Sequence, residues 1–282
     1  MSQHLWLYEG TTEYFSTLAP LHDSTIKEEG FRRQIEGKLK DQARLPDDFS
    51  FTEFSRNVLS AEGQDLYPIV YTYGAVNAFY LDILIRESSG GSKGLLDVIY
   101  RMREDFGPSR PFQDDSLFAL IGKETSPTIR NYLETYVKGT KRIPSSEILS
   151  KIGWKYTAEK INRVPGYGIG MQFTMQGDSV SAKIQPTSPE NPLNVMDGDE
   201  LIRVEGIALN KIQSTGDGTS LLSRLRSPKI GDSLKITVKR NGKELDLSGV
   251  ATTVNKGEKH IIEIDANPTP AQAALRRAVF YE

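Results

Sequence analysis

The spacing of apolar residues changes near residue 150, and no single regular architecture accommodates both patterns. Before that point the pattern is helical. Val76, Phe79, Tyr80 and Ile83 recur at i, i+3, i+4 and i+7, which predicts a helix from about Pro68 to Glu87 with one buried face. A long polar helix is predicted from Ser24 to about Arg44, where Thr25 and Glu28 have capping-box spacing. Further helices are predicted over Leu95–Phe106, Asp115–Glu124 and Pro127–Lys138, the last with Ser126 as N-cap and Pro127 in the first turn. Asp82, four residues before Arg86, has the spacing of a helix ion pair, commonly a partly exposed one, or of a pair that satisfies an acid near a core. Ser88–Gly94 is rich in glycine and serine but lacks the Gly-Lys-Ser/Thr ending of a phosphate loop, and reads as a turn.

From about Trp154 short β-branched or alternating runs alternate with glycine turns. Strands are predicted over Gly168–Thr174, Ser179–Ile184, Glu200–Val204, Ser233–Lys239 and Glu244–Leu247, with Asn241-Gly242 a hairpin turn between the last two. Ser188-Pro189 has the chemistry of a helix start, and a second short helix is predicted over Ser220–Arg226. A loop at Val254–Glu258 and a short strand at His260–Ile264 come next. Thr269-Pro270 then opens a final helix through about Phe280, expected to pack back onto a domain.

At 282 residues the chain exceeds the usual single-domain size. The pattern divides it into a helical domain over 1–150, a β-rich domain over 151–255 and a closing strand and helix over 256–282. The 35 lysines and arginines nearly balance the 37 aspartates and glutamates, a formal charge of -2 that leaves no electrostatic footprint for nucleic acid. No apolar run approaches the roughly 18 to 20 residues of a membrane-spanning helix. Cysteine is absent, so disulfides, thiolate zinc sites and a cysteine nucleophile are excluded, while the compartment stays open.

Gly168-Ile169-Gly170-Met171 begins a strand, and Asp197-Gly198-Asp199-Glu200-Leu201-Ile202 follows some way downstream. Together with the later helix and closing hairpin, this order resembles a PDZ domain. The resemblance implies that Gly168, Ile169, Gly170 and Met171 offer backbone N–H groups to a peptide's terminal carboxylate. Leu221, Leu222 and Leu225 would wall a side-chain pocket. Many such domains in proteases instead brace a catalytic unit.

In the amino-terminal stretch, Trp6-Leu7-Tyr8-Glu9-Gly10 is followed by Thr11, Glu13, Tyr14 and Phe15. Read from spacing alone, Glu9 and Glu13 form a solvated acidic helix face. The stretch resembles the second metal-binding helix of the glycyl aminopeptidases, family 61 of the metallopeptidases, and more distantly other gluzincin aminopeptidases. That resemblance implies a fragment of a thermolysin-like catalytic domain ahead of the PDZ domain. It also implies that Glu9 is the third protein ligand to zinc, with Glu13 in support from one turn along. Phe51–Leu59 and Tyr136-Val137-Lys138-Gly139-Thr140 resemble further family segments. Val70-Tyr71-Thr72-Tyr73-Gly74-Ala75 resembles the stretch whose tyrosine hydrogen-bonds the developing oxyanion, a role that maps to Tyr71. Where relatives have Glu-Lys, this chain has Thr72-Tyr73, which leaves Tyr73 as the alternative; a plain core or rim tyrosine is the other reading.

The family's His-Glu-x-x-His helix has no counterpart here. The only histidines are His4, His22 and His260, none four residues from another. The simplest expectation is the carboxyl-terminal part of a zinc aminopeptidase acting on peptides, with zinc in the complete enzyme and none held by this chain alone. Apolar surface around Trp6 and Tyr14 would then be exposed and drive self-association. The competing expectation is a non-catalytic PDZ adaptor that captures carboxyl termini. Relatives of this kind are often exported by bacteria, which leans towards an extracytoplasmic location.

Overall fold

The structure, a computed structural model, describes residues 2–46, 48–176, 179–212, 221 and 224–281. It separates into two compact units, Met1–Ala158 with Lys259–Glu282, and Glu159–Glu258. A helical region is followed by a β-rich region and a carboxyl-terminal helix. Among the described residues no helix is long and apolar enough to cross a membrane.

The first unit holds α1 (Leu5–His22), α2 (Glu28–Lys40), α3 (Phe51–Asn57), α4 (Ala61–Asp65), α5 (Ile69–Ser88), α6 (Leu95–Asp105), α7 (Leu117–Glu124), α8 (Pro127–Tyr132) and α9 (Ser145–Ser150). Its centre is α5. Beyond the four apolar positions that suggested one buried face, Ala75, Ala78, Leu81 and Ile85 are buried too, so α5 is enclosed on nearly every side. Asp82 shares that enclosure and is 2% exposed, so the pair with Arg86 satisfies an acid in the core and is not the commoner partly exposed kind. Its carboxylate accepts from the Tyr14 hydroxyl at 2.8 Å and the Leu95 amide at 2.6 Å, with the Arg86 Nε at 3.4 Å.

Trp6 and Tyr14 are both fully buried, so neither ring forms part of an exposed apolar surface, while their neighbour Tyr8 is 52% exposed. Helix α2 starts later than predicted, with Lys27 at its N-cap and no side-chain cap; a 3-10 turn at Asp41–Arg44 ends the segment. After α8, whose N-cap Ser126 accepts from the Ile129 amide, Leu133–Lys138 widens into a π-helix.

Two long strands, β1 (Trp154–Gly166) and β8 (Thr252–Ile264), pair as a two-stranded sheet. The predicted loop at Val254–Glu258 is part of β8. The last helix, α11 (Pro270–Tyr281), opens with Thr269 accepting from the Gln272 amide. It buries Val279 and Phe280 in the helical core. There Phe280 meets Phe31, Phe79 and Trp154 with ring centroids 5.3 to 6.1 Å apart.

The second unit is an antiparallel sheet of β2 (Ile169–Gln176), β3 (Ser179–Pro186), β4 (Asp199–Val204), β5 (Ile207–Ala208), β6 (Ser233–Arg240) and β7 (Lys243–Val250), with the short α10 (Leu209–Ile212). The order is β2-β3-β4-β6-β7, with β5 paired to β4. Asn241 and Gly242 both have positive φ, 51° and 79°, as a two-residue hairpin of this twist requires. No helix follows Ser188-Pro189. The Ser188 hydroxyl hydrogen-bonds the Glu190 carboxylate and accepts from the Asn255 amide at 3.1 Å, so it is occupied elsewhere. Within the predicted helix at 220–226, residues 221 and 224–226 are helical and the others lie outside the described residues.

Candidate functional site

Helix α1 turns Trp6, Gly10 and Tyr14 inward at i, i+4 and i+8, which leaves Glu9 half-buried on the flank of that stripe. Tyr71 lies in the first turn of α5, also half-buried. Its hydroxyl lies within interaction range of Tyr67 and of the Glu9 carboxylate. The interaction with Tyr67, then burial, then the charge of Glu9 push its pKa up to about 12. A phenol so held keeps its proton at neutral pH and remains a hydrogen-bond donor. Tyr73 is different: its ring stacks on Phe51 at 5.3 Å within the core, and burial pushes its pKa up to about 12.

Tyr67 belongs to this constellation although sequence reasoning passed over it. Its spacing, four residues before Tyr71, was the available signal; the two rings lie 5.9 Å apart. Glu13, expected to support Glu9, forms an ion pair with Lys38 of α2. The histidines are dispersed. His4 is buried against Phe118, its Nε2 2.7 Å from the Asp114 carbonyl, and burial lowers its pKa. His260 pairs with the Tyr156 hydroxyl at 2.7 Å, and His22 is in the last turn of α1. Among the described residues no three His, Cys, Asp or Glu side chains gather as a metal site.

The second unit presents a different kind of surface. Gly168 has a φ of +64°, and a Cβ there would lie 1.8 Å from the Glu190 carbonyl oxygen, so glycine is required on two counts. The Gly168 carbonyl accepts from the Thr187 amide at 2.8 Å, which sets the phase of the β2–β3 ladder. With Gly170 opposite Gln185 and Gln172 opposite Lys183, the even-numbered residues bond to β3. Ile169, Met171 and Phe173 therefore turn their N–H and C=O groups to the free edge of β2. Pro186, lacking an N–H, sits opposite Ile169, where no ladder donor is needed.

Beside this edge a groove of about 710 Å³ is lined by Gly168, Ile169, Gly170, Met171, Thr187 and Leu225, among others. Leu221 is buried in the sheet's core, and Leu222 lies outside the described residues.

A glycine-rich loop leading into a free-edged strand of an antiparallel sheet defines a PDZ domain, and residues 168–252 match the PDZ domain family. The chain as a whole is similar to the crystal structure of an aminopeptidase N family protein from Idiomarina loihiensis, with 18% identity and a TM-score of 0.62. That match covers 97% of this chain and 49% of the other, so the chain spans about half the length of that relative. The PDZ domain of EpsC from Vibrio cholerae matches at 18% identity and a TM-score of 0.23, over 30% of this chain and 94% of that one. No curated protein matches the chain.

Proposed function

We propose that this chain is the carboxyl-terminal part of a zinc-dependent aminopeptidase of the glycyl aminopeptidase type. Its helical unit contributes Glu9 and Tyr71 to the active site, and its PDZ domain takes peptide carboxyl termini. The observation that carries this reading is the proximity of the Glu9 carboxylate on α1 to the Tyr71 hydroxyl on α5, two helices in backbone contact at Gly10 and Gly74, on a fold similar to an aminopeptidase N family protein. In the complete enzyme Glu9 is one of three protein ligands, and zinc supplies Lewis acidity. The other ligands and the general base come from a His-Glu-x-x-His helix outside this sequence, so the chain alone is inactive. Tyr71, protonated at neutral pH, is suited to donate a hydrogen bond to an oxyanion formed beside Glu9.

The coding sequence immediately upstream of Met1 tests this. An in-frame His-Glu-x-x-His supports the reading, and a native start at Met1 contradicts it. In the longer enzyme Tyr71→Phe should lower kcat about 100- to 1000-fold with little change in KM, because such a donor acts mainly in the transition state. An unchanged kcat would return Tyr71 to a structural role.

A second reading, a non-catalytic adaptor, is favoured by the free β2 edge and its groove. A native start at Met1 together with peptide binding would establish it.

A further inference from the structure

We infer that Gly10 and Gly74 are positioning residues for the Glu9–Tyr71 pair: their backbone-to-backbone contact sets the separation of α1 and α5 at which carboxylate and phenol meet. The inference rests on the proposed site and adds residues to which that reading gives no role. A Cβ at Gly10 would lie 2.4 Å from the Gly74 carbonyl carbon and 2.6 Å from its Cα. A Cβ at Gly74 would lie 2.8 Å from the Gly10 Cα and 3.1 Å from the Trp6 carbonyl oxygen. Every one of these neighbours is backbone, so no side-chain rotation relieves the clash and a helix must move. Restoring ordinary carbon–carbon contact requires about 1 Å of displacement or more.

Local preference points the other way. Both glycines are inside helices, at negative φ, where alanine is the better helix former. The close approach is therefore what they serve.

The two glycines are also placed to control the pair. Glu9 directly precedes Gly10 on α1. Tyr71 lies one turn before Gly74 on the same side of α5. One turn beyond Gly10, the Tyr14 hydroxyl donates to Asp82 of α5, and near the start of α1 the Trp6 amide donates to the Ser55 hydroxyl. The Tyr14–Asp82 bond ties α1 to α5 on one side of the crossing and the Trp6–Ser55 bond holds the start of α1 to α3, so a methyl group inserted at the crossing pushes α1 and α5 apart next to Glu9 and Tyr71. Hydrogen bonds weaken steeply with such changes in distance and angle.

The test uses the 282-residue chain with 13Cζ-labelled tyrosine, observed by NMR at one neutral pH, with the Tyr71 signal assigned by its loss in Tyr71→Phe. In the wild-type background Glu9→Gln should shift the Tyr71 signal. In Gly74→Ala and Gly10→Ala backgrounds the same substitution should leave it unmoved. In Gly37→Ala, at a glycine of α2 with open space around it, the response should persist. A Tyr71 response to Glu9→Gln that survives in both alanine variants overturns the positioning role. So does failure of both variants to fold while Gly37→Ala folds, since the contact would then govern folding rather than placement. Absence of any response in the wild-type background would remove the Glu9–Tyr71 pair itself, and with it the proposed site.

Discussion

Asp82 and Asp199 are both buried, yet their carboxyl groups are shifted in opposite directions. At Asp199, burial alone would raise the pKa. The Arg240 guanidinium, bonded at 2.6 and 2.7 Å, and the Met196 amide at 2.9 Å outweigh it and hold the group below its usual value. At Asp82 burial is the stronger influence, and the pKa is raised despite Arg86, the Leu95 amide and Tyr14. The consequences for stability differ in sign. Asp199 contributes stability that is fully present above its unfolded pKa of about 4 and is lost as pH falls through the lower folded value. Asp82 contributes most below about pH 4, and that contribution is lost as pH rises through its raised folded value. Asp199→Asn, which leaves Arg240 without its counter-charge, should therefore cost the second unit about 3 kcal/mol at pH 7, a difference that persists down to about pH 4 and shrinks only as pH falls further, through the lowered folded value. Amide hydrogen exchange of β4 and β6 measures it; a cost that stays constant as pH falls through that value would contradict the assignment.

At the scale of elements, stability in the helical unit depends on a helix contributed by the end of the chain. Phe280 of α11 completes an aromatic cluster with Phe31, Phe79 and Trp154. Phe280→Ala should lower the stability of this unit by about 3 to 5 kcal/mol, the usual cost of emptying a phenylalanine site. The chain's two tryptophans, Trp6 and Trp154, both belong to this unit, so denaturation followed by tryptophan fluorescence reads it directly. A loss below 1 kcal/mol would mean that α11 is dispensable. The edge of β2 makes a separate prediction. Titrating a short apolar-ended peptide should shift the amides of Ile169 and Met171 most, with Gly170 responding less because its N–H is engaged by β3. Amidating the peptide should abolish the shifts, and equal binding of both forms would remove carboxylate capture. Elements with local chemistry were the legible ones: the Asn241-Gly242 turn, the Ser126-Pro127 helix start and the Thr269 cap. Strand β1 was not, because its exposure pattern follows no period of two and its partner β8 is about a hundred residues away. Ser188-Pro189 misled for the opposite reason, since a distant amide, that of Asn255, uses the serine that local rules assign to a cap.

At the scale of the whole molecule, the change from helical to β-rich pattern near residue 150 was legible because each region has its own periodicity and core. Glu9 and Tyr71 were candidates from two separate motifs, but nothing in the sequence pointed to their proximity. It depends on a helix crossing between residues 64 positions apart in Gly10 and Gly74, and no local pattern encodes such a contact. The proposed function gives this chain one part of a zinc aminopeptidase site. Metal analysis after exhaustive dialysis, combined with an aminoacyl-anilide assay of the same sample, tests it most directly. Zinc well below one equivalent per chain and no turnover are expected. One equivalent of retained zinc, with turnover abolished by Glu9→Ala, would contradict it.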